Sequence, residues 1–508
     1  MSNVTLTNTL KQAGSTDIKF DLSWENSWRA SWTEDDTGAG HAPQTVTNWD
    51  AAWVFIKYRL REGANTNWQH VYLASEGHVA PEGITITPGA SDDVNVGAFI
   101  HRSVNGFGPL NLADLRLRWD YKSQNLQPSA PLDVSVQAIE MVYIPAGPFY
   151  VGDGRNYGDW QDRGAFEDGA SGLPFRVTNE FYEITLGGGE AGSLGNHGCQ
   201  SMNRADDFNS TNPATVKILP AAYPKGFDAF YCMKYMGTQE QYKNFLNKLT
   251  RNQQTNLVHA AGTNASYFAL SGTASISGRN GIRCPAEAGE GPIVFGCDFN
   301  GNGTFNEVGD GQDLPCGFLN SQRVSAYLEW AGLRPMTALE YEKTCRGPKY
   351  PVLIEYAWGT ASSAYVALRA WPYLADDIDG SGTETLLNPQ ENLMANRWNQ
   401  DWLQPPVRVG IFAARQNASR VQAGAGYYGV MELSGNLEEG MIALGLQPGR
   451  AFTGAHGDGV LTANGLANVI NWPSSREGWQ PTYWEKISNR YQANVGDSPA
   501  IRGVRTAP

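Results

Sequence analysis

Hydrophobic and polar residues alternate along much of the first 137 residues. This period of two is typical of a half-buried strand, because successive side chains of a strand point to opposite faces of a sheet. Five runs show it: Asp17–Leu22, Val54–Tyr58, Val71–Leu73, Gly97–Ile100 and Leu115–Trp119. Turns rich in Gly, Pro and Asn separate these runs, and we expect residues 1–137 to form a β-sandwich without catalytic residues.

The pattern changes after a loop at Ser129–Pro131. A strand-like run, Leu132–Val136, leads into a second apolar run at Met141–Ile144. Beyond these runs, the alternation gives way to helical patterns and to segments rich in Gly and Trp. We expect a second domain over residues 138–508, also because a chain of 508 residues exceeds a single ordinary core.

Three helices are predicted in this second domain. The first covers residues 238–246, where Thr238 is the expected N-cap and apolar residues recur at helical spacing. The second spans Ser321–Trp330, and the third begins at Thr337 with Glu340 three residues on, the spacing of a capping box. The segments between the helices predict long irregular loops, so the expected fold class is α+β.

Composition narrows the possible partners. Charged residues make up 18% of the chain beside 57 Gly and 16 Trp, which favours a loop-rich surface. The net charge of −13 argues against nucleic acid and anionic membranes as partners, because phosphates attract basic surfaces. No apolar run is long enough to span a bilayer, so we expect no membrane insertion. Met1–Thr5 lacks the features of a secretory signal, so export would need a removed signal or another route.

Cysteine and histidine spacings do not predict a catalytic metal. All six cysteines lie between Cys199 and Cys345, where an even number permits disulfides without selecting a pairing. The seven histidines are scattered without the spacing of metal ligands. A catalytic zinc or iron centre is therefore not expected.

Five ordered segments carry a resemblance to a known family. They are Met141–Phe149, Tyr231–Phe245, Ala331–Glu342, Tyr428–Leu437 and Gly503–Arg505. Together they resemble the formylglycine-generating-enzyme family, also called the sulfatase-modifying-factor family. The resemblance implies a C-type-lectin-like fold, rich in irregular loops, for residues 138–508.

The sequence departs from that family at its catalytic centre. Active members bind copper through two late cysteines, whereas the corresponding segment here, Gly449–His456, has none and no cysteine follows Cys345. The family's N-V-W-E-W motif is replaced by Asn436–Gly440, without either tryptophan. We expect no copper, because its soft thiolate ligands are missing. A non-catalytic protein is therefore favoured over the alternative, an oxidoreductase of this type with a divergent site.

The calcium sites of the family are better preserved. The resemblance implies one site from the Glu432 side chain, the Gly435 and Leu437 carbonyls, and Glu439. It implies a second site from Asn396, the Arg397 carbonyl, Asp401 and the Leu403 carbonyl. Mixed side-chain and backbone oxygens suit Ca²⁺, which would act as a structural ion. The alternative for the two glutamates of the first site is that they cap loops or pair with arginines.

An acidic segment predicts a cation site without help from the family. Asp298, Asn300 and Asn302, followed by glycine, match the D-x-[DN]-x-[DN]-G start of a calcium loop. The final bidentate Glu of such loops is missing, although Glu307 and Asp310 lie nearby. The alternative is a plain solvated loop.

Two further features belong to this region. Asp377–Gly382 is a weaker copy of the same pattern, for which a solvated loop is the favoured interpretation. Cys297 and Cys316 flank the first acidic segment and could join in a disulfide, but the sequence does not require that pairing.

The late loops are the expected ligand-binding surface, because binding sites concentrate on loops held by a rigid scaffold. The candidate contact residues are Arg450, His456, Trp472, Trp479, Trp484 and Tyr491. Flat indole faces can stack on sugar rings, and the alternative for the tryptophans is a place in the core.

These patterns lead to one expected function and two alternatives. We expect a non-catalytic recognition or structural protein whose lectin-like, calcium-braced domain presents loops to a protein or glycan ligand. It would work outside the cell, on a cell surface or on a virion, with the β-sandwich as mount or oligomerisation element. The alternatives are the divergent oxidoreductase and a self-assembling surface or filament subunit, in which edge strands pair into a homo-oligomer or larger assembly.

Overall fold

The structure of the protein, a computed structural model, describes most of the chain from Met1 to Pro508. The residues that it does not describe are 11–13, 39, 64, 155–165, 196–206, 209–214, 286–288, 362–363, 366–373, 376–377, 387–392, 395–405, 414–417, 482–486 and 488–498. In the described part, antiparallel strands dominate and the helices are short. The chain is therefore a β-rich α+β protein, and none of its described helices is long and apolar enough to cross a membrane.

The strands form one large sheet and several small ones. The large sheet contains β1 (Ser2–Leu10), β2 (Ser15–Glu34), β3 (Gln44–Leu60), β4 (Gln69–His70), β5 (Ile84–Ser91), β6 (Val94–Arg102), β7 (Gly106–Asp120), β8 (Leu132–Ile144), β15 (Phe230–Met233), β18 (Arg334–Pro335) and β25 (Gly503–Thr506). The small sheets contain β9 (Phe149–Val151), β10 (Glu167–Asp168), β11 (Phe175–Val177), β12 (Ile184–Leu186), β13 (Leu194–Gly195), β14 (Lys217–Leu219), β16 (Ile282–Arg283), β17 (Gly296–Cys297), β19 (Ala364–Tyr365), β20 (Leu374–Ala375), β21 (Thr385–Leu386), β22 (Leu393–Met394), β23 (Gly440–Ile442) and β24 (Trp479–Pro481).

Short helices accompany the sheets. They are α1 (Gln239–Leu246), α2 (Arg251–Leu257), α3 (Ser321–Trp330), α4 (Ala338–Arg346), α5 (Arg420–Ala423) and α6 (Gln447–Arg450), with 3₁₀ turns at Ile411–Ala413 and Arg476–Gly478. The three predicted helices are confirmed as α1, α3 and α4. Thr238 and Thr337 cap α1 and α4, and Thr337 forms its capping box with Glu340. The sequence pattern did not predict α2, although Thr250 and Gln253 form the same kind of box.

The large sheet connects the beginning of the chain with its end. Its main path is β1-β2-β3-β8-β15-β25-β18, while β7 pairs with β2, β4 and β6 pair with β3, and β5 pairs with β6. Strand β8 is the link, because it pairs with β3 on one side and, through Met141–Ile144, with β15 on the other. The boundary expected at residue 137 falls inside this strand.

Strand β3 is buried on both faces. Val54 and Ile56 belong to a core that they share with β2, β6 and β7. Trp53 and Phe55, on the other face, belong to a second core that includes side chains of α1 and α3. The expectation of a half-buried strand at Val54–Tyr58 is therefore wrong, because a second core covers the face that was expected to meet solvent.

Buried ion pairs fix the loops to this framework. Arg334 of β18 donates hydrogen bonds to both carboxylate oxygens of Glu340 in α4, at 2.9 and 2.6 Å. Arg346, at the end of α4, pairs with Glu342 and Glu355. These side chains are almost completely buried, so the loss of one partner would leave the other charge uncompensated.

Candidate functional site

The acidic loop, Asp298–Asp310, begins where β17 ends. Pairing of β16 with β17 places Arg283 near the start of the loop, where its Nη1 donates to Asp298 Oδ2 at 2.8 Å. The other carboxylate oxygen, Oδ1, accepts a hydrogen bond from the Gly303 backbone at 3.2 Å. The Asp298 side chain is fully buried, so this carboxylate fixes both the entry and the turn of the loop.

The two asparagines of the predicted pattern shape the tip of the loop. Asn300 Oδ1 accepts from the Asn302 backbone at 3.0 Å, and Asn302 Oδ1 accepts from the Thr304 backbone at 2.7 Å. Such side-chain-to-backbone bonds replace backbone bonds in tight turns. Both side-chain amides also donate to Oε1 of Glu307, so Asn300, Asn302 and Glu307 converge.

Asp310 completes the group from the far end of the loop. Its side chain is fully buried, and its Oδ2 accepts from the Glu307 backbone at 2.9 Å. Its Oδ1 accepts no hydrogen bond from any residue that the structure describes. Burial raises the pKa of Asp310, and the neighbouring carboxylates of Asp298 and Glu307 raise it further. A buried oxygen without a partner is costly, and a hard cation would remove that cost.

The donors of the acidic loop are of mixed type. The structure shows no cluster of three or more His, Cys, Asp and Glu side chains arranged to hold a metal in its described part. A cation in this loop would therefore need amide and backbone oxygens beside the carboxylates. That combination is the usual ligand set of Ca²⁺.

The weaker copy of the pattern lies against the acidic loop. The Gly311 backbone donates to the Gly380 carbonyl at 3.0 Å, which joins the two segments. Asp377 lies outside the described residues, and both carboxylate oxygens of Asp379 accept from Arg279, at 2.9 and 2.6 Å. Because Arg279 already neutralises Asp379, this second segment is a poor cation site. Its backbone contact with Gly311 instead supports the acidic loop.

One glutamate of the first family-implied site fits a cation. Glu432 has a left-handed backbone conformation, with φ of 56°, and its side chain is buried. Its Oε1 accepts from the Gly410 backbone at 2.6 Å, whereas its Oε2 has no hydrogen-bond partner among the residues described. Burial raises the pKa of Glu432 to about 7.

The second glutamate of that site is engaged by an arginine. Oε1 of Glu439 accepts from Arg502 Nε at 2.5 Å. The same guanidinium donates to the Met233 and Met431 carbonyls, at 2.7 and 2.8 Å. Burial raises the pKa of Glu439 to about 7, and Arg502 opposes this rise. Glu439 is thus paired with an arginine, which was the alternative to a calcium site. Gly435 and Leu437 lie in the segment between the two glutamates.

Several predicted residues lie outside the described residues. These are Asn396, Arg397, Asp401 and Leu403 of the second family-implied calcium site, and Trp484 and Tyr491 of the late loops.

The remaining late-loop residues hold the loops from within. Arg450 donates to both carboxylate oxygens of Asp207 at 2.7 Å, and His456 Nε2 accepts from the Thr506 backbone at 3.0 Å. Trp472 is 9% exposed and its indole donates to the Ala455 carbonyl, while Trp479 is fully buried and its indole donates to the Pro473 carbonyl. Arg450 and the two tryptophans belong to the interior, which was the alternative for the tryptophans, whereas His456 is half-buried.

Four of the described thiols are buried and unreactive. Cys232, Cys297, Cys316 and Cys345 are buried and form no disulfide, so the possible bridge between Cys297 and Cys316 is not formed here. Burial raises the pKa of Cys232 and of Cys297 to about 12. Because the thiolate is the form that binds metals and attacks substrates, these thiols are poor candidates for either role.

No protein-family model matches the chain, and no curated protein matches it either. The resemblance to formylglycine-generating enzymes rests on the five sequence segments.

Proposed function

We propose that the protein is a non-catalytic recognition protein in which structural calcium braces loops that a lectin-like fold presents to a ligand. The observation that carries this proposal is the acidic loop, where carboxylates and amides lie together and one buried oxygen of Asp310 accepts no hydrogen bond within the described structure. The family resemblance supports the lectin-like fold and a place outside the cell, on a cell surface or on a virion.

The state of the thiols favours recognition over the oxidoreductase alternative. A divergent copper or thiol site would need an accessible thiolate. Burial instead raises the pKa of Cys232 and Cys297 far above neutrality, and also raises that of Cys345. Each of these thiols therefore stays protonated in the folded protein.

Elemental analysis and chelation melts test the calcium part of the proposal. We expect calcium in stoichiometric amount, no copper or iron, and a lower melting temperature in EDTA. A ligand at a hundred times its Kd stabilises a fold by about 2.7 kcal/mol. Asp310→Asn should lose most of the EDTA-sensitive shift. The matched control is Asp92→Asn, an exposed aspartate in the turn between β5 and β6, which should keep it.

Each contrary result has a definite meaning. Bound copper or iron would overturn the non-catalytic function. Metal-free protein with the same melting temperature in calcium and in EDTA would remove calcium as the brace. A full EDTA response in Asp310→Asn would place the ion elsewhere, with Glu432 as the next carboxylate to replace.

One observation favours self-assembly as a second function. Strand β1 ends the main path of the large sheet and pairs with β2 alone among the described strands. It contains no charged residue, and Val4 and Leu6 are 38% and 42% exposed. Uncharged, open edge strands are templates for pairing with another chain. Light scattering should show a dimer or larger assembly that Val4→Lys dissociates, and monomeric wild-type protein would exclude this function.

A further inference from the structure

One described cavity on the protein is lined by none of the late-loop residues. We call it the tyrosine cleft, and it has a volume of about 1060 Å³. One wall is the loop between β2 and β3, including Asp36 and His41, and the other comprises Tyr150, Arg176, Tyr182 and Tyr350. Ligand pockets typically measure about 300–1,000 Å³, so this cleft has room for a ligand of several linked rings.

Aromatic side chains form an angled wall in the cleft. The rings of Tyr150 and Tyr350 lie 5.0 Å apart with an interplanar angle of 69°, and the His41 ring lies 6.3 Å from that of Tyr150. The loop bearing His41 approaches this wall closely at Gly38, whose φ is +92°. A Cβ at that position would lie 2.6 Å from the Tyr150 hydroxyl, so only glycine allows this shape.

The polar groups of the cleft are both donors and acceptors. Arg176 supplies a guanidinium 5.8 Å from the Tyr150 ring, and its Nε has no hydrogen-bond partner in the described part of the chain. Asp36 supplies a carboxylate that is 63% exposed and lies 3.6 Å from the Lys349 ammonium group. Asp168 is already engaged, because its oxygens accept from the Ser171 and Gly192 backbones at 2.9 and 2.7 Å.

We infer that the tyrosine cleft binds a neutral oligosaccharide. A sugar hydroxyl donates and accepts hydrogen bonds, so it can use a carboxylate, a guanidinium and phenol groups together. The C–H face of a pyranose ring packs on a flat aromatic surface such as that of the partly exposed Tyr350, whereas Tyr150 is 6% exposed and contacts the Tyr350 ring. An acidic sugar is disfavoured because Asp35, Asp36 and Asp168 all line the cleft.

This inference rests on the proposed recognition function and moves its ligand to a surface that the sequence did not indicate. The cleft is composite, because its walls come from the β2–β3 loop and from residues after 149. The Tyr350 backbone donates to the Asp36 carbonyl at 3.0 Å, which holds the two walls together. The binding surface is therefore complete only in the full chain.

Saturation-transfer NMR and calorimetry with the full-length protein test the inference. The probes are malto-, cello-, chito-, manno- and galacto-oligosaccharides of increasing length, with oligogalacturonate as the acidic comparison. We expect at least one neutral series to bind, and longer members to bind more tightly than the monosaccharide. Tyr350→Ala and Arg176→Gln should each weaken binding about tenfold, as expected for the loss of one stacking or charged contact.

The control is Phe107→Ala, because Phe107 is an aromatic residue that is 92% exposed and does not line the cleft. Melting curves establish that each variant is folded, and Arg176→Gln serves if Tyr350→Ala is unstable. Binding of no neutral series, preference for the acidic probe, or wild-type affinity in both cleft variants would overturn the inference. Oligosaccharide binding measured in EDTA tests the cleft separately from the calcium proposal, because no residue of the acidic loop lines the cleft.

Discussion

The carboxyl group of Glu329 makes the stability of the protein depend on pH in a calculable way. Glu329 lies in α3 and is fully buried, and its Oε1 accepts from the Asp458 backbone at 3.4 Å. Burial, together with the nearby negative charge of Asp458, raises the pKa of Glu329 to about 8. The folded protein therefore retains a proton that the unfolded chain releases near pH 4.5.

The sign and size of the effect follow from this difference. Between pH 4.5 and pH 8 the folded state binds more protons than the unfolded state, so stability is lost as the pH rises through this window. Each pH unit well inside the window corresponds to about 1.4 kcal/mol. Allowing for the partial protonation of the unfolded chain at pH 5, the loss from pH 5 to pH 7 is about 2.5 kcal/mol.

Replacement of Glu329 by Gln should abolish this loss. The glutamine amide does not titrate, and its oxygen can accept the same hydrogen bond from the Asp458 backbone. Urea unfolding should give wild type and Glu329→Gln similar free energies at pH 5. At pH 7 the variant should be more stable by about 2.5 kcal/mol.

Other titratable groups near Glu329 also change the stability with pH, so the pH dependence of wild type must be compared with that of the variant. Lys57 and His70 face the same buried region, and burial lowers the pKa of each, which gives the wild type an opposing pH dependence. The difference between wild type and Glu329→Gln reports the glutamate together with its electrostatic coupling to Lys57. The exposed Glu62, replaced by Gln, serves as control and should follow the wild type. Parallel curves for wild type and Glu329→Gln from pH 5 to pH 8 would refute the reasoning.

Three further substitutions probe the framework and the cleft. Trp53→Ala should lower the free energy of urea unfolding by about 3–5 kcal/mol, because the indole is fully buried and donates to the Ala331 carbonyl. Glu340→Gln should lower the free energy of urea unfolding by about 3–5 kcal/mol, because it leaves the buried charge of Arg334 uncompensated. The double variant with Arg334→Met should recover part of this loss. Gly38→Ala should lower the free energy of unfolding by about 1 kcal/mol, which a lower melting temperature would show. An unchanged melting temperature would contradict the close approach of Gly38 to Tyr150.

The sequence predicts helices better than it predicts which faces are buried. The capping residues Thr238 and Thr337 are local signals, and both helices begin where these signals lie. In β3, the alternation seen from Val54 onward concealed that both faces are covered. The continuous apolar run from Ala51 to Ile56 was the available signal, because such runs are typical of strands buried on both sides.

The candidate site was only partly predictable. Asp298, Asn300 and Asn302 follow a spacing that is local in sequence, and they do lie with Glu307 in one loop. Pairing of Glu439 with Arg502 joins residues 63 positions apart, and no local pattern specifies such a contact. The tyrosine cleft likewise combines side chains from distant segments, so only the folded chain reveals it.

The burial of β3 on both faces has a consequence for protein engineering. A fragment that began at residue 138 would keep most of β8 but lose β3, and the Trp53 and Phe55 side chains would vacate their core. A fragment that ended at residue 137 would cut β8 within its pairing with β3 and would lose the part that pairs with β15. Neither fragment therefore contains a complete core of its own. A chimera that transplants the loop-bearing half onto another carrier must bring β3 and β8 with it.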